Sequence, residues 1–224
     1  MKKVTFLSLV GLIAMVISSC EKDKITGIMT DQDGNEYKTI NIGTQTWMAE
    51  NLRTTKYRDG SSIPLITEAV EWTSLNTGAY CNYGNTNDSD TIVTYGNLYN
   101  WFAVSDSRNL APVGWHVPND SDWTTLINYL GGSEIAGNKL KEIGIVHWAS
   151  PNSKATNETG FTALPGGFRN EYGNFMEIGY SGYWWSFTDA VDDGRDRIMF
   201  SDHPWVSDWF APKVNGLSVR CVKD

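Results

Sequence analysis

The sequence predicts an α+β fold made mostly of short strands and ordered loops. The chain carries 21 glycines and ten tryptophans, helical periodicity is confined to two segments, and the last third alternates apolar runs with glycine turns. No Pro/Ser-rich linker divides the 224 residues, so one large domain is expected.

The first element is a leader. Lys2 and Lys3 precede an apolar run from Val4 to Ile17 and small residues ending at Cys20, the layout of a secretory signal. The run is too short for a spanning helix. Ile17-Ser18-Ser19-Cys20 resembles the bacterial lipobox, which implies a signal over 1–19, diacylation of Cys20 and a tether over 20–26. Several acyl chains, at about 0.8 kcal/mol per buried methylene, would anchor the body to a membrane leaflet. Glu21-Lys22-Asp23 resembles the export tags of Bacteroidetes surface lipoproteins, so an outer-membrane or cell-surface location is expected. Losing Lys2 and Lys3 takes the formal charge from -8 to -10. Such an acidic body, without a basic cluster, is not expected to hold nucleic acid.

Next, Ile25–Thr30 and Glu36–Ile42 flank Asp31-Gln32-Asp33-Gly34-Asn35 and read as a hairpin. The same five residues superficially suit a calcium loop, but the glycine falls one place early and no bidentate acid follows. TWMAENL from Thr46 continues as a strand or turn, and Thr73–Asp90 reads as a polar ordered loop. The clearest helix lies in GWHVPNDSDWTTL: Asn119 or Asp120 caps it, and Trp123, Leu126, Ile127 and Leu130 form one apolar face. Gly131-Gly132 ends it. A second helix is expected over Ile135–Ile143, with Leu140 and Ile143 inward. Strands are expected at Phe161–Leu164, around GYWWSF from Gly182, at Arg197–Ser201 and at Gly216–Val222. Because neighbours in a strand face opposite ways, at least one of Trp184 and Trp185 should point inward. Cys81 and Cys221 could pair in an oxidising compartment or remain two buried thiols; spacing leaves both open.

The ordered series IGTQTWMAENLR, YCNY, YGNLYNW, PVGWHVPNDSDW, LPGGFR, GYWWS and GLSVRCVKD closely resembles the Fibrobacter succinogenes major paralogous domain family over residues 27–224. The resemblance implies a C-type lectin-like fold, with two helices, twisted antiparallel strands, long ordered loops and chain ends on one sheet. It implies an extracytoplasmic protein and leaves the activity open. Many relatives carry a cysteine where this chain has Ala111, which would leave Cys221 without its usual partner.

Chemistry is thin. No Gly-x-Ser-x-Gly elbow is present, neither cysteine has a histidine placed to serve it, and His116, His147 and His203 lack zinc-ligand spacing. Asp122, Glu158 and Glu171 are the candidate pair members for glycoside hydrolysis, a role for which surface acids and caps are the plainer account. The calcium-and-sugar motifs of true C-type lectins are missing. No catalysis and no cofactor are therefore expected. The better candidates are aromatic: Tyr183, beside Trp184 and Trp185, and Trp205 and Trp209 in HPWVSDWF, where Pro204 and Asp208 predict a loop. The expected function is a lipid-anchored binding or adhesion module for a polysaccharide or a surface protein.

Overall fold

The computed structural model describes residues 25–152 and 154–224. The expected signal over 1–19, lipidation at Cys20 and the Glu21-Lys22-Asp23 tag lie outside the described residues.

The chain forms β1 (Ile25–Thr30), β2 (Glu36–Ile42), β3 (Gln45–Met48), α1 (Ala69–Trp72), β4 (Tyr80–Cys81), α2 (Ser89–Tyr95), β5 (Leu98–Tyr99), α3 (Trp101–Val104) and β6 (Trp115–His116). Then come α4 (Asp120–Tyr129), α5 (Ser133–Leu140), β7 (Phe168–Arg169), β8 (Phe175–Met176), β9 (Ser181–Ala190), β10 (Asp193–Phe200), β11 (Val206–Pro212) and β12 (Val222–Lys223). The architecture is α+β, built on small antiparallel sheets. One has the order β1-β2-β3-β12-β6, another β11-β10-β9, and β4-β5 and β7-β8 are two-stranded.

Local chemistry explains the elements that form as expected. In the β1–β2 hairpin, Asp31 accepts from the backbone N–H of Asp33 and Asn35, each at 2.9 Å, and from the Tyr37 hydroxyl at 2.6 Å. Asp33 in turn accepts from Thr54 and Thr55. These carboxylates close the turn and tie it to the following segment. For α4, Asn119 accepts from Ser121 and Asp122 N–H, and Asp122 accepts from Asn119 N–H at 2.9 Å, completing a capping box. Trp123, Leu126 and Leu130 are buried below it.

Several expectations need correction. The second helix runs Ser133–Leu140 and stops before Lys141, which turns inward; Ile143 is 64% exposed and faces solvent. Phe161–Leu164 forms no strand beyond a bridge between Lys141 and Ala163. Gly216–Val222 is a buried thread whose hydrogen bonds go to several different elements. Leu217 bonds Tyr99, Ser218 bonds Tyr183 and Trp185, Val219 O accepts from Leu52 N–H, and Cys221 O accepts from Met48 N–H. Only its end, in β12, joins a sheet, between β3 and β6. Both Trp184 and Trp185 are fully buried, since β9 has a core on each side: Trp184 belongs to the cluster that holds Trp47, Trp123 and Trp148, and Trp185, against Trp101, to the one that holds Leu217 and Val219. Cys81 and Cys221 form no disulfide; they are free buried thiols in two different apolar clusters. Burial pushes the Cys81 thiol up to about 12 and Cys221 higher still.

Three arginines hold the irregular backbone together. Arg220, fully buried, donates to Phe161 O and Thr162 O and to the Asn51 side chain, its guanidinium 4.2 Å from the Phe161 ring centroid. Arg169 donates to Ile66 O, Thr67 O and Gly173 O, and Arg58 to Ala111 O, Pro112 O and Trp115 O. Each satisfies carbonyls that no strand ladder pairs, which long loops inside a compact domain require. Asn51 links β9 to the end of α2, accepting from Trp184 Nε1 at 2.9 Å and donating to Tyr95 O at 2.8 Å.

Candidate aromatic binding face

The segment His203–Phe210, expected as a loop, enters a strand at Val206. β11 pairs antiparallel with β10 from Met199↔Val206 to Asp193↔Pro212. Pro204 sits just before the ladder, where its missing N–H disturbs nothing. Along β11 only Val206 and Ala211, near its two ends and in different cores, are buried, while Trp209 and Phe210, on opposite faces, are 64% and 56% exposed.

Register places Trp209 opposite Asp196 and Asp196 opposite Trp185; Ser207, Ile198 and Tyr183 form the neighbouring row. Cross-strand partners share a face, and positions two apart on a strand do too, so Tyr183 and Trp209 project from the same side of the sheet. They stand two strands apart, about 10 Å laterally. Cover is uneven. Trp101 lies 5.3 Å from Trp185, and Phe168 lies 4.6 Å from Tyr183 between ring centroids, so the β9 side is roofed and Tyr183 is half-buried. Its hydroxyl donates to Glu177 Oε2 at 2.7 Å. The β11 side stays open under Trp209. Between them Asp196 forms a buried floor, accepting from Trp209 N–H at 3.1 Å. Desolvation raises its carboxyl to about 7, against the opposing pull of that N–H and of Arg197.

Trp205 is 47% exposed at the mouth of the hairpin, its ring 4.7 Å from His203. Its position is set by α5. Gly137 brings the helix so close that a Cβ would lie 2.6 Å from Trp205 O and 2.7 Å from Pro204 O. One turn on, Lys141 reaches from the helix end to donate to Phe200 O at 2.7 Å and His203 O at 2.9 Å. Burial lowers this lysine to about 8. Gly137 and Lys141 thus fix where the β10–β11 hairpin stands. On the sheet's other side Asp120, the first residue of α4, binds Arg195, Arg197 and the Ser186 hydroxyl, pinning the helix to all the rest of the sheet but β11.

Of the ten tryptophans, eight are buried, and Trp205 and Trp209 alone are exposed. The three aromatic candidates therefore sort into a shared face for Tyr183 and Trp209 and a separate place at the hairpin mouth for Trp205. The candidate acids do not gather. Asp122 caps α4 and binds His116 Nε2, Glu158 pairs with Lys139 at 3.1 Å, and Glu171 lies in the turn between β7 and β8. His116 also meets Asp224 at 2.7 Å, which makes it a local tie between α4's N-terminus and the chain end. Among the described residues, no three His, Cys, Asp or Glu side chains assemble as a metal-holding group, and no helix is long and apolar enough to cross a membrane. Sequence reasoning missed Asp196, Gly137 and Lys141. Alternation in GRDRIMF could have put Asp196 with Ile198 on one face, but nothing local marks the other two.

Fold and site together define a loop-rich α+β domain presenting an exposed aromatic hairpin. The chain belongs to the Fibrobacter succinogenes major domain family, whose model matches residues 40–223. No curated protein and no solved structure matches it.

Proposed function

We propose that the protein is a lipid-anchored, extracytoplasmic binding or adhesion module of C-type lectin-like fold, seated at the outer membrane or cell surface. Its ligand is a polysaccharide, or a surface protein, held without catalysis. The observation that carries this reading is the partition of the tryptophans: the two exposed ones lie on one arm of a single hairpin, which dedicated contacts from Gly137 and Lys141 position. Exposed aromatic rings on a rigid support are the usual means of stacking on sugar rings or filling a partner's pocket. The lectin-like assignment is supported by terminal strands β1 and β12 sharing one sheet and by the α4–α5 pair beside β9 and β11. The anchor rests on the lipobox-like Ile17-Ser18-Ser19-Cys20.

Binding of the full chain to a panel of defined polysaccharides, with and without EDTA, tests the reading. Retained binding in EDTA, weakened about tenfold or more in the Trp205→Ala/Trp209→Ala double variant for at least one polysaccharide, supports it; undiminished binding of every panel member by the folded double variant overturns the site. Palmitate labelling lost in Cys20→Ser tests the anchor, and label that persists in that variant overturns it.

A further inference from the structure

Three cavities of about 390, 330 and 260 Å³ border α3, whose Trp101 roofs the β9 side of the sheet. The first two share Phe102 and Ser105, and the second and third share Phe187, so they adjoin in series as a segmented groove. We propose that this groove is a second binding site, for a neutral oligosaccharide chain, with Phe187 as its stacking platform.

Phe187 is held there by an irregularity in β9. Arg195 pairs with Ser186 and Gly194 with Asp189, so Phe187 and Thr188 are extra residues that bulge from the ladder. The bulge is anchored on the start of α4: Phe187 N–H donates to Pro118 O at 2.6 Å, and Thr188 Oγ1 accepts from Asp120 N–H at 3.0 Å. Gly194 opposite permits the close approach of Trp101 and Trp185, since a Cβ there would lie 2.7 Å from each ring. Phe187 then stacks on buried Trp101 at 6.1 Å and 28°, while the residue stays 50% exposed. A ring backed on one side by a fixed indole presents its other side at little further entropic cost.

The remaining lining supports the ligand class. Ser62, Thr77 and Ser105 bring hydroxyls with no hydrogen-bond partner among the described residues, beside the Asn76 amide. The charged groups are engaged within the fold: Asp106 and Arg108 pair at 2.7 Å, Arg108 lies 3.9 Å over the Tyr57 ring, and Lys213, which lines the second cavity, donates to Val191 O at 2.8 Å. A chain of formal charge -8 further disfavours polyanions. Hydroxyl and amide groups around an aromatic plane match a pyranose, which offers an apolar C–H face and a rim of hydroxyls. Where β9 borders the groove, Phe187 and Thr188 bulge from the ladder and Phe187 N–H is taken by Pro118 O, so a peptide finds no regular strand edge to extend there.

Calorimetry on the full chain with neutral glucose-, xylose- and mannose-based hexasaccharides, their disaccharides, hexagalacturonate and an extended hexapeptide tests the proposal. At least one neutral hexasaccharide should bind, about fivefold or more tighter than its disaccharide, and Phe187→Ala should weaken it about tenfold or more. Phe187→Tyr should keep affinity, and Ser105→Trp, an exposed change that fills the junction of two cavities, should abolish it. Trp209→Ala should leave it unchanged, which separates this site from the sheet face. No binding of any neutral hexasaccharide, preference for the uronate or the peptide, or binding indifferent to both Phe187→Ala and Ser105→Trp would overturn the proposal.

Discussion

Replacing Asp196 by Asn should stabilise the protein at pH 8 and barely change it at pH 4. The carboxyl is buried under Trp209 and titrates in the fold near 7, against 3.8 for an exposed aspartate. A group with a raised folded pKa contributes stability that is whole below its unfolded value and is lost as pH climbs through the folded one. The loss therefore runs from about 4 to about 7. The shift is about three pH units, and at ~1.4 kcal/mol per unit the ionised carboxylate costs the fold about 4 kcal/mol above neutrality. Asparagine keeps an oxygen to accept the Trp209 N–H and never ionises. Urea unfolding of both proteins between pH 4 and pH 8 isolates the effect, because every other titrating group is shared. The difference in stability should open by several kcal/mol across that window. Parallel curves with a constant offset would refute the reasoning and mean that Arg197 or water compensates the buried charge.

The other predictions concern the supports of the fold. Gly137→Ala drives a methyl into the Pro204 and Trp205 carbonyls and should destabilise by about 1–3 kcal/mol in urea unfolding, with a shift in Trp205 fluorescence. Lys141 has a depressed folded pKa, so its burden on the fold is full below about 8 and lifts towards 10.5; the stability curve of Lys141→Met should lack that rise with pH. Arg220→Met leaves the Phe161 and Thr162 carbonyls and the Asn51 side chain without their donor, and should lose about 3 kcal/mol or more by denaturant titration. Ala111 and Cys221 lie in one apolar cluster, so Ala111→Cys should form a disulfide under oxidising conditions; two thiols titrating there after unfolding would show that the side chains point apart.

What the sequence disclosed follows the range of the interactions involved. The β1–β2 hairpin and α4 are written in neighbouring residues: Asp31 bonds groups within six positions, and Asn119 and Asp122 cap each other three apart. The GLSVRCV segment alternates like a strand, yet its partners are Tyr99, Tyr183, Leu52 and Met48, chosen by topology, so its pattern misled. The buried arginines misled in the opposite sense, since an isolated Arg reads as surface while Arg220 and Arg169 replace absent ladders. Trp205 and Trp209 were legible as exposed: Pro204 and Asp208 suggested a loop, which holds for Trp205 just before β11, whereas Trp209 is open because it stands on an outer strand. Phe187 shows the limit of such reasoning. Its place depends on a two-residue bulge, and that bulge is fixed by Pro118 and Asp120, almost seventy positions earlier. The PNDSDW segment therefore has two tasks: it caps α4, and through Pro118 and Asp120 it sets both the bulge that aims Phe187 and the ion pairs that hold β9 and β10. Its acids and amides serve the shape of both candidate surfaces, and Asn119 also lines the third cavity of the groove.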